Sequence, residues 1–137
     1  KDLDALHAQA ETIWMRGRAN LALDNVEKAS EDLKKSLDMI LNVGDRDDEF
    51  RILIDQSDLQ TRLRNYDKAL QLADSAGKIA AEINVSEGIG EALIAKTYAL
   101  IHLKKYNAAA DAARRCAQHD LALLARQAGH RRTRHDR

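Results

Sequence analysis

The sequence has no proline, a single cysteine, a single tryptophan, a single phenylalanine and only six glycines. Proline breaks helix interiors, so its absence leaves long helices uninterrupted. Aromatic residues make up 4% of the chain, so a core has to be filled by small and aliphatic side chains. One cysteine, Cys116, excludes an internal disulfide and a cysteine-based zinc site, and fits a reducing, cytoplasmic compartment. Formal net charge is zero, from 22 basic and 22 acidic residues, which argues against diffuse attraction to nucleic acid. No apolar run approaches the ~18 residues of a membrane helix. No secretory leader opens the chain, and a start at Lys1 rather than methionine suggests a piece of something longer.

What is present favours helix. Ala, Leu, Lys, Arg, Asp and Glu dominate, whereas the β-branched and aromatic residues that suit strands are scarce. An all-α protein is expected. Each buried alanine removes little area from water, at ~25 cal/mol per Å². Stability then requires many close helix contacts.

Sliding the chain against itself by forty residues reveals a repeat. Val26, Tyr66 and Tyr106 align, as do Ala29, Ala69 and Ala109. Leu23, Leu63 and Leu103 align, and so do Ile13, Leu53 and Leu93. The small residues Gly17, Ser57 and Thr97 form a further column. Each unit reads as two helices, because Tyr66, Ala69, Leu70, Ala73, Ala76, Gly77 and Ala80 follow helical spacing. Polar breaks place helices near 3–23, 26–43, 46–63, 66–83, 86–103 and 106–128. Asp45 and Ser86 are suited to cap the third and fifth.

A small residue, nine positions, Tyr, two positions and Ala form the kernel of the tetratricopeptide repeat, which this chain resembles. The kernel stands here as Gly17…Val26…Ala29, Ser57…Tyr66…Ala69 and Thr97…Tyr106…Ala109. The forty-residue period resembles the longer variety in kinesin light chains, LGN-type polarity adaptors and bacterial MalT-like regulators. The usual proline after the second helix and the glycine between helices are missing, and Arg16, Gln56 and Lys96 replace a common leucine. The resemblance implies a right-handed α-solenoid of three helix-turn-helix repeats, at about 10–43, 46–83 and 86–128, within a domain spanning 1–128. Small residues would let paired helices approach, and Tyr66 and Tyr106 would fill the gaps between units.

The resemblance also implies a concave groove lined by the first helix of each pair. Carried over by alignment, its columns are Trp14, Ile54 and Ile94; Arg18, Asp58 and Tyr98; and Leu21, Thr61 and Ile101. Ala22, Arg62 and His102 lie beside them, with Glu11, Arg51 and Glu91 at the mouth. The Lys and Asn set that clamps a terminal carboxylate in chaperone-binding repeats is not there. Trp14 is either a binding anchor or a residue packed against a missing N-terminal neighbour or the edge of the first repeat.

Other chemistry finds little support. The histidines His7, His102, His119, His130 and His135 are read as facing solvent, without the partners of a helical metal site. The segment Asp45-Arg46-Asp47-Asp48-Glu49 lacks the glycine and distal glutamate of a calcium loop, and its acids suit a helix N-terminus. Cys116 aligns with Ser36 and Ala76 and is expected to be a buried, inert thiol. Gly88-Ile89-Gly90 is too short for a phosphate loop, and no nucleophile motif occurs. Neither catalysis, nor a metal, nor a cofactor is expected.

The expected function is a cytoplasmic adaptor or sensor module, part of a larger regulatory protein, that binds a protein or peptide in its groove. The alternative is a structural segment that spaces or dimerises other domains. Residues 129–137, with four arginines and one aspartate, read as a linker or the start of a further repeat rather than a nucleic-acid arm. Uncovered apolar stripes on the terminal helices predict self-association, most simply as a dimer.

Overall fold

A computed structural model of the chain describes residues 2–135, and side chains as far as Gly129. The side chains of the arginine-rich end beyond Gly129 lie outside the described residues. Six helices make up the described chain, with no strand: α1 (Leu3–Ala22), α2 (Val26–Val43), α3 (Arg46–Arg62), α4 (Tyr66–Glu82), α5 (Ser86–His102) and α6 (Tyr106–His135). Every helix begins at the residue expected from the polar breaks. The first five end within one residue of expectation, whereas α6 runs on to His135 instead of stopping near 128.

Asp45 caps α3 by accepting the Asp48 N–H at 3.0 Å. Asp2 does the same for α1, accepting the Ala5 N–H at 3.2 Å. The expected cap at Ser86 is corrected: Val85 holds the capping position and Ser86 is already inside α5. All but one of the turns do without glycine. One residue per turn adopts positive φ, namely Asp24 (62°), Gly44 (84°), Arg64 (64°), Asn84 (61°) and Lys104 (62°). After α1, the Asn25 N–H reaches the Asn20 carbonyl at 2.8 Å and the Asp24 N–H reaches the Leu21 carbonyl at 3.1 Å. The same two bonds recur at Arg64–Asn65, Asn84–Val85 and Lys104–Lys105. They satisfy helix-end carbonyls in the manner of a Schellman motif.

Each helix packs on its sequence neighbours, and α3 also touches both α1 and α5. The small-residue columns lie where helices of a pair approach. A Cβ on Gly17 would come within 3.1 Å of Asp32 Cβ. Ser57 is buried and its hydroxyl donates to the Ala69 carbonyl at 2.8 Å. Ala29, Ala69 and Ala109 are all buried. A first core joins Ala10, Trp14, Leu21, Leu33, Ile40, Ile52 and Leu59. A second gathers Phe50, Leu53, Ala76, Ile79, Ala80 and Ala92, and a smaller third holds Leu100, Ala109 and Ala112.

The two tyrosines differ. Tyr66 is half-buried and stacks on His102, ring centroids 4.5 Å apart. Tyr106 does not fill a gap as expected; it is 61% exposed, because no helix of the described chain lies beyond α6 to receive it.

Candidate functional site

The face made by α1, α3 and α5 carries a cleft of about 720 Å³. Of the residues expected in a groove, Arg18, Ile54, Asp58, Thr61, Ile94, Tyr98 and His102 line it. The chain brings these residues together from positions more than eighty apart in sequence because they share one helical face in three first helices. Ile94 and Tyr98 are 50% and 60% exposed, so a large apolar surface is open to a ligand. Ile101 lies outside the main cleft, in an adjoining apolar recess with Ile94, Thr97, Tyr98, Ala113 and Cys116.

Three expected groove residues are placed elsewhere. Trp14 and Leu21 are buried in the first core, each 5% exposed. The Trp14 indole N–H donates to Asp55 Oδ2 at 2.7 Å, so it faces α3 from within the first core rather than lying open in the cleft. Arg62 donates to the Leu21 carbonyl and lies 3.5 Å from Asp58, which ties it to the wall.

Asp55 is the cleft residue that sequence columns missed. It accepts from Trp14 and lies 3.5 Å from the Arg18 guanidinium. Burial holds its carboxyl above the usual carboxylate range, against the opposing pull of the Trp14 N–H and Arg18. Its column holds Met15 and Ala95, so a carboxylate there stands out only once the helix faces are known. Asp55, Asp58 and Glu91 together outweigh Arg18, which gives the cleft an acidic lining around its isoleucines and tyrosine.

The seam between α1 and α3 is stitched by polar contacts at regular spacing. His7 meets Asp48, Trp14 meets Asp55 and Arg62 meets the Leu21 carbonyl, each pair 41 residues apart in sequence. Partners recur every seven residues because two helix turns return to the same face. Between α3 and α5 Phe50 instead packs against Gly88, and Tyr66 at the start of α4 stacks on His102 at the end of α5.

His7 corrects the view of the histidines as solvent-facing groups without partners. Its Nε2 lies 2.8 Å from Asp45 Oδ2 and 3.1 Å from Asp48 Oδ2, while Nδ1 faces Glu11 Oε1 at 3.8 Å. Glu11 stands four residues on, a partner visible in the sequence. The carboxylates of Asp45, Glu11 and Asp48 favour the protonated ring, and their hydrogen bonds and charge outweigh partial burial. Asp48, buried and close to the charges of Asp45 and Glu11, is pushed up to about 6. His119 is likewise half-buried, its Nε2 against the Ser86 carbonyl.

Cys116 is buried as expected, with its thiol 3.6 Å from the Gly90 carbonyl. Burial, helped by Asp120, pushes the thiol up and keeps it protonated. No helix among the described residues is long and apolar enough to cross a membrane.

No protein-family model matches this sequence, and no curated protein does either.

Proposed function

We propose that the chain is a three-unit segment of a tetratricopeptide-like, right-handed α-solenoid that binds a protein or peptide in the cleft between its first helices. It is a binding module rather than an enzyme, acting in a reducing, cytoplasmic setting as part of a larger regulatory protein. The observation that carries the proposal is the convergence of Arg18, Ile54, Asp58, Thr61, Ile94, Tyr98 and His102, from three sequence repeats, on one open cleft. Exposed tyrosine and isoleucine among carboxylates favour an extended segment with apolar and basic side chains.

The test is selection of a random-peptide phage library on the chain, followed by fluorescence anisotropy of the enriched peptides. Tyr98→Ala and Ile94→Asp should each weaken them by about tenfold or more. Peptides that bind both variants as well as the parent would place recognition outside the cleft.

A second reading, a segment that dimerises other domains, is favoured by α6. Leu121 and Leu124 are 66% and 60% exposed, and Ala110, Ala113 and Ala117 extend the same open stripe. At the opening helix the stripe is smaller, because Ile13 and Trp14 are buried, Leu6 is half-buried and only Leu3 is widely exposed.

A further inference from the structure

We propose that His7, Asp45 and Asp48 form a binding site for a divalent transition-metal ion, Zn²⁺ foremost, which clips α1 to the start of α3. The three ligand atoms converge from two helices: all lie within 4.8 Å of one another, and His7 Nε2 points at both aspartate oxygens. A ligand cage of one imidazole nitrogen and two carboxylate oxygens suits Zn²⁺ and its first-row neighbours better than Mg²⁺ or Ca²⁺, which prefer oxygen alone.

Two features separate this group from an ordinary acidic helix start. The nitrogen donor comes from α1, 38 and 41 residues away from the two aspartates, and is aimed between their carboxylates. The ligands are also held from behind. Asp45 spends its other oxygen, Oδ1, on the Asp48 N–H as the cap of α3, leaving Oδ2 turned to the histidine. The second ring nitrogen of His7 faces the Glu11 carboxylate at 3.8 Å, within ion-pair range but longer than a hydrogen bond, so Glu11 adds negative charge on the far side of the ring. With both ring nitrogens against carboxylates, a neutral imidazole would aim a lone pair at one of them. Nε2 sits where either its own proton or a metal ion would bridge to both aspartates, and the Glu11 carboxylate on the far side of the ring adds to the attraction for a divalent ion. His7 and Asp45 are half-buried and Asp48 buried, so an ion can enter from solvent with water completing its coordination.

Isothermal titration calorimetry of the whole chain with ZnCl₂ at neutral pH tests the site, with MgCl₂ as comparison. One Zn²⁺ per chain is expected, with release of protons and a rise in melting temperature that Mg²⁺ does not produce. His7→Ala should abolish that binding. Asp45→Asn keeps a good capping side chain and hence the fold, yet should weaken Zn²⁺ at least about tenfold, and Glu11→Gln should weaken it less, through loss of negative charge beside the site. A joint His130→Ala, His135→Ala variant should bind as the parent does. No Zn²⁺ binding at hundred-micromolar metal would overturn the proposal. So would binding that survives His7→Ala or disappears with the His130 and His135 replacements.

Discussion

The ring of Phe50 fills the space that a side chain at position 88 would need: a Cβ on Gly88 would lie 2.5 Å from Phe50 Cε1 and 2.6 Å from Cζ. The sole phenylalanine is fully buried there, also against the helix that Ala80 belongs to. Gly88→Ala should therefore overpack the α3–α5 contact and destabilise the chain by ~1–3 kcal/mol, despite the better helix propensity of alanine. Urea denaturation checks this. In a Phe50→Leu background the same replacement should cost much less, since the ring that obstructs it is gone.

Asp55 and Trp14 give a second pair of outcomes. Asp55→Leu leaves the buried indole N–H without an acceptor and should cost ~1–3 kcal/mol. Asp55→Asn keeps an acceptor and removes a carboxylate that burial disfavours, so stability at neutral pH should stay within about 1 kcal/mol of the parent. Equal losses in the two variants would show that the hydrogen bond is not what matters there.

Acid should act through Asp32. Arg16 binds it with two hydrogen bonds, at 3.0 and 2.8 Å, and Asn20 adds a third at 3.1 Å. The Arg16 hydrogen bonds, with help from Asn20, hold its carboxyl below the ordinary value of 3.8. A depressed folded-state pKa contributes stability that is complete above the unfolded value and is lost as pH falls through the folded one. The contribution should hold from neutrality down to the ordinary value and fade below it. Asp32→Asn should accordingly flatten the pH dependence of the urea midpoint in that acidic range while lowering the midpoint at pH 7.

The turns offer a route to higher stability. Lys104 and Arg64 sit at φ of 62° and 64°, a region that costs an L-residue ~1–2 kcal/mol. Glycine removes that strain but adds freedom to the unfolded chain, worth ~0.4–1 kcal/mol. Lys104→Gly and Arg64→Gly should each raise stability by about 0.5–1 kcal/mol, read as a shift in urea midpoint at constant m-value. Asp24→Gly should gain less, because aspartate tolerates this conformation better.

Self-association is expected through α6, where Tyr106, Leu121 and Leu124 are open and an apolar recess of about 370 Å³ between α5 and α6 adjoins them. Light scattering over a concentration series should show mass rising above one chain, and Leu121→Glu should reverse it. Mass fixed at one chain up to hundreds of micromolar would exclude a dimer through this face.

The helices were legible because their boundaries are local. Polar breaks about every twenty residues, Ala and Leu at helical spacing and a capping aspartate at 45 all leave marks within a few positions. The Gly17 and Ser57 positions were legible too, since close approach requires small side chains whatever the partner, whereas Thr97 in the same column borders the recess between α5 and α6. What escaped depends on the register between non-adjacent helices. Trp14 and Ile54 share an alignment column, yet one is buried against Asp55 and the other lines the cleft. The difference arises because Trp14 is turned toward α3, where Asp55 accepts its indole N–H. Asp55 and the meeting of His7 with Asp45 and Asp48 were hidden for the same reason, although Glu11 beside His7 was an available hint.

The even spacing of the left-handed residues, at 24, 44, 64, 84 and 104, has a further consequence for how such a chain can change. Each helix is held between corners at a fixed count, and one residue advances an α-helix by about 100°. Deleting a single residue inside α3 would swing all that follows by that angle, carrying Ser57 and Leu59 out of the interior and bringing charged neighbours in. Substitutions can accumulate singly along such a chain, but changes of length are tolerated only at the corners or in whole helix pairs.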